Sequence, residues 1–266
     1  MADPIALTLG EVHAWHGCID ERSSVLGQPR ESDLAILSAG ERARSRRFVR
    51  PADRVRFAAT HAAVRRLLAR YLAVGAADLW FGRAPCCECG SAEHGPPAID
   101  WPPTDVTCNL SGSGDHWLLA VARGRRVGAD VEVPRDVDAG QLARACLTAA
   151  EQRYLNAQQD DRQLDVFYRC WTRKEAVLKA CGVGLSSSMR ELDVAPGRAG
   201  PVEVRHRCKA GPDRWVVQDL PGGPGPGGAQ GRAGTPPRAG RAAWLGAIAE
   251  PATEAGQVLL READDA

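Results

Sequence analysis

Apolar positions recur at steps of three and four between Asp53 and Ala73: Phe57, His61, Val64, Leu68 and Tyr71 fall on one face, and no proline interrupts them. This spacing predicts an amphipathic helix. The opposite face carries Arg56, Arg65, Arg66 and Arg70, with Arg42, Arg44, Arg46 and Arg47 just upstream. So dense a set of arginines suits either a solvated face or an anion site. A second helix is predicted from Arg162 to Cys181, where Leu164, Phe167, Trp171, Val177 and Leu178 form the stripe and Gly182 and Gly184 supply the stop. Glu175 and Lys179 are four apart and share a face, with Trp171 one turn earlier. Taken alone, they are an ordinary surface ion pair.

Alternating runs predict strands at Val106 to Leu110 and at Trp117 to Ala122, bracketing a turn from Ser111 to Asp115 whose small residues let backbone amides approach a phosphate. From Arg126 to Val133 the pattern has period two: Val127, Ala129 and Val131 point one way, Gly128, Asp130 and Glu132 the other. Arg214 to Gln218 and Ala242 to Ala249 read as neighbouring strands of one sheet. Between them, 13 of the 20 residues at 221–240 are Gly or Pro, a composition with no apolar surface to bury, so a flexible loop is expected.

The 266 residues, 44% hydrophobic, suffice for one large domain or two small ones. With 34 Lys and Arg against 33 Asp and Glu, the chain lacks the basic excess of a dedicated nucleic-acid binder. No run approaches the ~18 apolar residues of a membrane span, and Met1 to Leu9, carrying Asp3 and Pro4, lacks signal-peptide order. The expectation is a cytoplasmic protein with neither membrane nor nucleic acid as partner. Nine cysteines scattered from Cys18 to Cys208 suit free thiols in a reducing compartment. Cys86, Cys89 and His94 form half of a zinc site, but no matching pair follows downstream, so an inert loop is expected; zinc there would favour a binding module instead.

Asp130 and Glu132 stand roughly 7 Å apart along a strand face and can lean towards one cation. A third carboxylate would complete an all-oxygen site of the kind that suits Mg²⁺ beside phosphate. At this point the residues resemble a family. Val127-Gly128-Ala129-Asp130-Val131-Glu132, followed by the run from Phe167 through Trp171-Thr172-Arg173-Lys174-Glu175-Ala176-Val177-Leu178-Lys179 to Leu185, is similar to the paired signature of the 4′-phosphopantetheinyl transferases. The longer, monomeric branch acting on nonribosomal peptide and polyketide synthases matches better. Weaker agreement extends through Cys108 to Gly114 and through Arg46-Arg47-Phe48 and Asp53 to Arg56.

The resemblance implies an α+β fold of two similarly folded halves, 1–124 and 125–266, with coenzyme A in the cleft between them. The implied activity is a transferase that moves the phosphopantetheine arm of coenzyme A to a serine of an acyl or peptidyl carrier protein, releasing adenosine 3′,5′-bisphosphate. Asp130, Glu132 and Glu175 would hold Mg²⁺, and Lys179 would contact the pyrophosphate. Glu175 would also help to take the serine proton, and Arg44, Arg56 and Ser111 would help to bind the coenzyme; Lys174 would either touch a phosphate of the coenzyme or lie on the helix surface. Residues around Leu142 to Leu147 are the expected carrier footprint. Two positions depart from the family: Gly112 replaces a histidine near the coenzyme 3′-phosphate, and Gly95-Pro96-Pro97 replaces Gly-Lys-Pro or Gly-Arg-Pro. Arg44, Arg56 and His116 are the candidates to compensate. The competing expectation is a non-catalytic relative that binds coenzyme A or carrier without transfer.

Overall fold

A computed structural model describes residues 3–19, 24–25, 27–93, 95–135, 137–183, 189–209, 211–222 and 244–263. His94, and the Gly/Pro-rich loop from 223 onward, lie outside the described residues. In chain order the elements begin with β1 (Glu11–Cys18), the two-residue strands β2 (Ser24–Val25) and β3 (Gln28–Pro29), and the helices α1 (Glu31–Ile36), α2 (Ala39–Arg47) and α3 (Pro51–Leu72). Then come β4 (Trp80–Arg83), β5 (Pro97–Trp101), β6 (Val106–Ser113), β7 (His116–Arg123) and β8 (Gly128–Glu132). The helices α4 (Ala139–Cys146), α5 (Ala149–Asn156) and α6 (Asp160–Cys181) follow, and β9 (Val202–Arg205), β10 (Arg214–Leu220), β11 (Leu245–Pro251) and β12 (Gln257–Glu262) complete the chain.

Among the described residues, the mixed α+β architecture comprises two four-stranded sheets, ordered β12-β1-β7-β6 and β8-β11-β10-β9, with two-stranded pairs β2-β3 and β4-β5 beside them. β10 and β11 pair antiparallel, as expected of neighbours flanking the Gly/Pro-rich segment. Val12, Ala14, Leu118 and Ala120 of the first sheet pack with Ala129, Val131 and Ile248 of the second in one buried cluster. A division at residue 124 is not clean, however. β12 leaves the second half and pairs in parallel with β1, Val12 opposite Val258 and Ala14 opposite Leu260, so the first sheet is completed by residues from the far end.

The two long helices occur where apolar spacing predicted them, for local reasons. Pro51 opens α3 at its first turn, where a missing N–H costs nothing. Gly182 closes α6 in the left-handed conformation, φ 78°. Of the expected stripe of α3, Val64 and Leu68 are buried, together with Val55, Ala58, Ala62 and Ala69, whereas Phe57, His61 and Tyr71 are half-buried. Arg65, expected on the solvated face, is buried; its Nη2 pairs with Glu41 at 2.7 Å and its Nη1 donates to the carbonyls of Ala76 and Leu79. Among the described residues, no helix is long and apolar enough to cross a membrane.

Candidate active site

The site forms where β6, on the edge of the first sheet, runs beside β8, on the edge of the second, with α6 packed over β8. A Cβ at position 128 would strike Ala176 O and Ala180 of α6, so Gly128 is what lets helix and strand touch. The expected turn from Ser111 to Asp115 is shorter. Ser111, Gly112 and Ser113 belong to β6, in register with Leu118, Trp117 and His116, and Gly114-Asp115 alone makes the hairpin. Asn109, Ser111 and Ser113 therefore alternate onto one face, towards β8. Asn109 Oδ1 accepts from Ala129 N at 3.1 Å, Ser111 Oγ donates to Asp130 Oδ1 at 2.9 Å, and Ser113 Oγ donates to Glu132 Oε2 at 2.6 Å.

From α6, Lys179 Nζ donates to Asp130 Oδ1 at 2.6 Å, to Ser111 Oγ at 2.9 Å and to Ala129 O at 3.2 Å. Trp171 Nε1 donates to Glu132 Oε1 at 3.2 Å, which fixes that carboxylate from one turn before Glu175. The structure thus brings Asp130, Glu132, Glu175, Lys179 and Ser111 into one electrostatic neighbourhood. Burial pushes Asp130 up to about 6, with Lys179 and Ser111 pulling it down and Glu132 pushing it up. Burial likewise pushes Glu175 up to about 7, opposed by Lys179 and reinforced by Asp130 and Glu132.

Among the described residues, Asp130 Oδ2 and Glu175 Oε1 are buried without a hydrogen-bond partner. Such orphaned oxygens are costly unless something charged completes them, so the donor set fits a hard divalent cation such as Mg²⁺. Among the described residues, no three His, Cys, Asp or Glu side chains are gathered as a closed metal cluster. Lys179 occupies Asp130, and both oxygens of Glu132 are engaged by Trp171 and Ser113.

Other expected residues fall elsewhere. Lys174 does not face a phosphate: it is fully buried, its Nζ 2.6 Å from Glu151 Oε2 and donating to Met189 O and Leu192 O. Arg56 flanks the β6–β7 turn, where Asp115 and Asp53 accept from its Nε and Nη1 at 2.6 and 2.9 Å. Arg44 is exposed on α2, over the ring of Phe57. His116 is committed to His16, Nδ1 to Nε2 2.9 Å, and burial beside that second imidazole lowers its pKa, which removes it as a standing cation. Of the expected carrier footprint, Leu142 is exposed, whereas Ala143, Cys146 and Leu147 are buried. Asn109, Ser113 and Trp171 are site residues that received no role from sequence; a strand reading through Ser113 would have exposed the first two by their period of two.

Comparison with known proteins bears on these same residues. The sequence model of the 4'-phosphopantetheinyl transferase superfamily matches residues 126–232, a span that contains Asp130, Glu132, Glu175 and Lys179. The 4'-phosphopantetheinyl transferase HetI of Nostoc sp. is 31% identical over 205 residues, covering 76% of this chain and 81% of that protein. The chain belongs to the 4'-phosphopantetheinyl transferase superfamily. Within the superfamily it is also similar to Sfp of Bacillus subtilis, 27% identical over 174 residues, covering 65% of this chain and 73% of Sfp. AcpT of Salmonella typhi is 39% identical over 100 residues, 37% of this chain and 52% of AcpT. The superfamily match begins at Arg126, so Arg44, Arg56 and Ser111 of this transferase-family chain lie upstream of it.

Proposed function

We propose that the protein transfers the 4′-phosphopantetheine arm of coenzyme A to a serine hydroxyl of an apo carrier protein of the acyl or peptidyl type. The observation that carries this reading is the pair of partnerless buried oxygens, Asp130 Oδ2 and Glu175 Oε1, facing one another's charge across β8 and α6 in a chain similar to transferases of this kind. In the reaction, the serine oxygen forms a bond to the phosphorus bearing pantetheine, the bond to the other phosphate breaks, and adenosine 3′,5′-bisphosphate leaves.

Asp130, Glu132 and Glu175 would hold Mg²⁺, which when bound supplies charge neutralisation at the pyrophosphate. The chain's own residues do the rest. Glu175 would also receive the proton of the serine hydroxyl. Lys179 hands its Asp130 contact to the pyrophosphate and stabilises charge gathering on the leaving phosphate. Ser111, freed on that exchange, remains beside Asp130 to orient it. Arg44 and Arg56 serve the coenzyme from the first half. The protein works as a monomer in the cytoplasm, where coenzyme A and apo carriers occur.

The test mixes protein, coenzyme A, Mg²⁺ and an apo carrier and reads the carrier's mass. Wild type adds the arm, chelation stops the addition, and Glu175→Gln abolishes it while circular dichroism stays unchanged. Full activity of Glu175→Gln would remove that residue from the mechanism, and coenzyme binding without any mass gain by wild type would favour a non-catalytic relative.

A further inference from the structure

Two histidines to which the transfer reading gives no part are linked in one hydrogen-bonded chain beside the carboxylate site. His16 Nδ1 lies 2.9 Å from Glu262 Oε2, and His16 Nε2 lies 2.9 Å from His116 Nδ1. His16 is buried and its ring stacks on that of Trp244, centroids 4.2 Å apart, while the side chain of Glu262 is 56% exposed. The other titratable groups facing the rings are Cys18, opposite His116 on β1, and Asp115 in the β6–β7 turn.

These two bonds dictate where the hydrogens sit. An ionised carboxylate accepts and cannot donate, so the neutral His16 ring carries its hydrogen on Nδ1 and offers a lone pair at Nε2. His116 must then donate from Nδ1, which leaves the lone pair of its own neutral ring at Nε2. Among the described residues, nothing bonds to that nitrogen. Register places the ring next to the site. His116 and Ser113 stand directly opposite on β7 and β6, so their side chains share a face, the one on which Ser113 holds Glu132 and Ser111 holds Asp130. Trp244, against His16, closes the same corner, since it precedes Leu245, the residue opposite Glu132 across β11 and β8. Burial and the neighbouring imidazole lower the pKa of His116, so the ring rests neutral and gives up an acquired proton readily.

We propose that His116 Nε2 collects the proton that the carrier serine gives up in each transfer and passes it to water, an inference that rests on the transferase reading above. Taking the proton makes His116 an imidazolium, whose Nδ1–H stays on His16 Nε2 while the Glu262 carboxylate balances the new charge through His16. The half-buried ring then loses the Nε2 proton to solvent and returns to its neutral form. One N–H bond forms and breaks per turnover, and the serine oxygen has exchanged its hydrogen for phosphorus. Glu262 and His16 act as positioning residues: they fix the tautomer of His116 and never meet the substrate.

Two measurements on the full chain test it. In nitrogen-15-labelled protein above neutral pH, long-range proton–nitrogen correlation spectra, assigned with His16→Gln and His116→Gln, should show His116 protonated at Nδ1 and bare at Nε2; the reverse tautomer overturns the proposal. In the carrier mass assay, His116→Gln should lower kcat ~10²-fold with the KM for coenzyme A unchanged. Glu262→Gln keeps an acceptor for His16 Nδ1 but removes the charge, so it should lower kcat in the same sense at unchanged KM and melting temperature, which keeps the proposal testable if His116→Gln fails to fold. Full kcat in Glu262→Gln, or a rise in KM alone, overturns it, because the chain would then be a structural clamp. A wild type that transfers nothing sinks the transferase reading itself, whereas the tautomer is read without any transfer.

Discussion

Replacing Lys174 by methionine separates a structural lysine from a phosphate-binding one. Lys174 and Glu151 are both fully buried, 2.6 Å apart, with the ammonium also held by Met189 O at 2.8 Å and Leu192 O at 2.5 Å. Glu151 in turn accepts from Val194 N at 2.8 Å and closes the capping box of α5 with Thr148. Methionine fills the volume but leaves a carboxylate buried without its counter-charge, a defect worth about 3–5 kcal/mol. At ~2–4 °C per kcal/mol for a chain approaching this size, Lys174→Met should melt roughly 6–20 °C below wild type. Removing both charges, as in Glu151→Leu with Lys174→Met, should recover part of that loss, because the uncompensated ion is then gone. Thermal unfolding by circular dichroism gives the shift, and calorimetric titration with coenzyme A, run well below the transition, gives the affinity. A variant that melts within ~2 °C of wild type yet loses coenzyme binding would refute the buried-pair account.

Two further perturbations address the site directly. Because Glu175 holds its proton more tightly folded than unfolded, the stability it contributes is present at low pH and is lost as pH rises from 4.5 through about 7. Measured by urea unfolding in chelator, the stability of wild type minus that of Glu175→Gln should fall by on the order of 3 kcal/mol across that window, and a flat difference would place Glu175 in water. Gly112 is exposed, and a Cβ there meets only His116 O at 3.7 Å, so Gly112→His can be accommodated without strain. Regaining one charge-assisted bond, worth about 1.5–3 kcal/mol, should tighten coenzyme A by roughly 10- to 150-fold in calorimetry; no gain would mean that another residue already serves the 3′-phosphate.

Where sequence and structure agree, the pattern was dense enough to survive folding. Asp130 and Glu132 share a face because a strand alternates, and Glu175 and Lys179 share one because a helix turns every 3.6 residues. Neither relation depends on distant contacts. Lys174 was opaque for the opposite reason: its neighbour in sequence faces the site, but its own partner sits on α5, and nothing local reveals a buried counter-ion. Arg65 misled similarly, since the Glu41 that neutralises it comes from the first turn of α2. Glycines at 112 and 114 made a turn of what is mostly strand; only Gly114, at φ 59°, needs to be glycine. The partnership of β12 with β1 has no local signature at all.

That partnership dictates an order of events during synthesis. β1 leaves the ribosome long before its parallel neighbour: His16 and Glu262, joined at 2.9 Å, are 246 residues apart in the chain. Until then one side of β1 is a bare edge, able to pair with whatever strand is near. Closing so long a loop is slow, and its reward arrives only once the residues of β12 have been made. A nascent chain stalled short of residue 257 would therefore carry the carboxylates of β8 and the whole of α6 on a scaffold whose first sheet is still open.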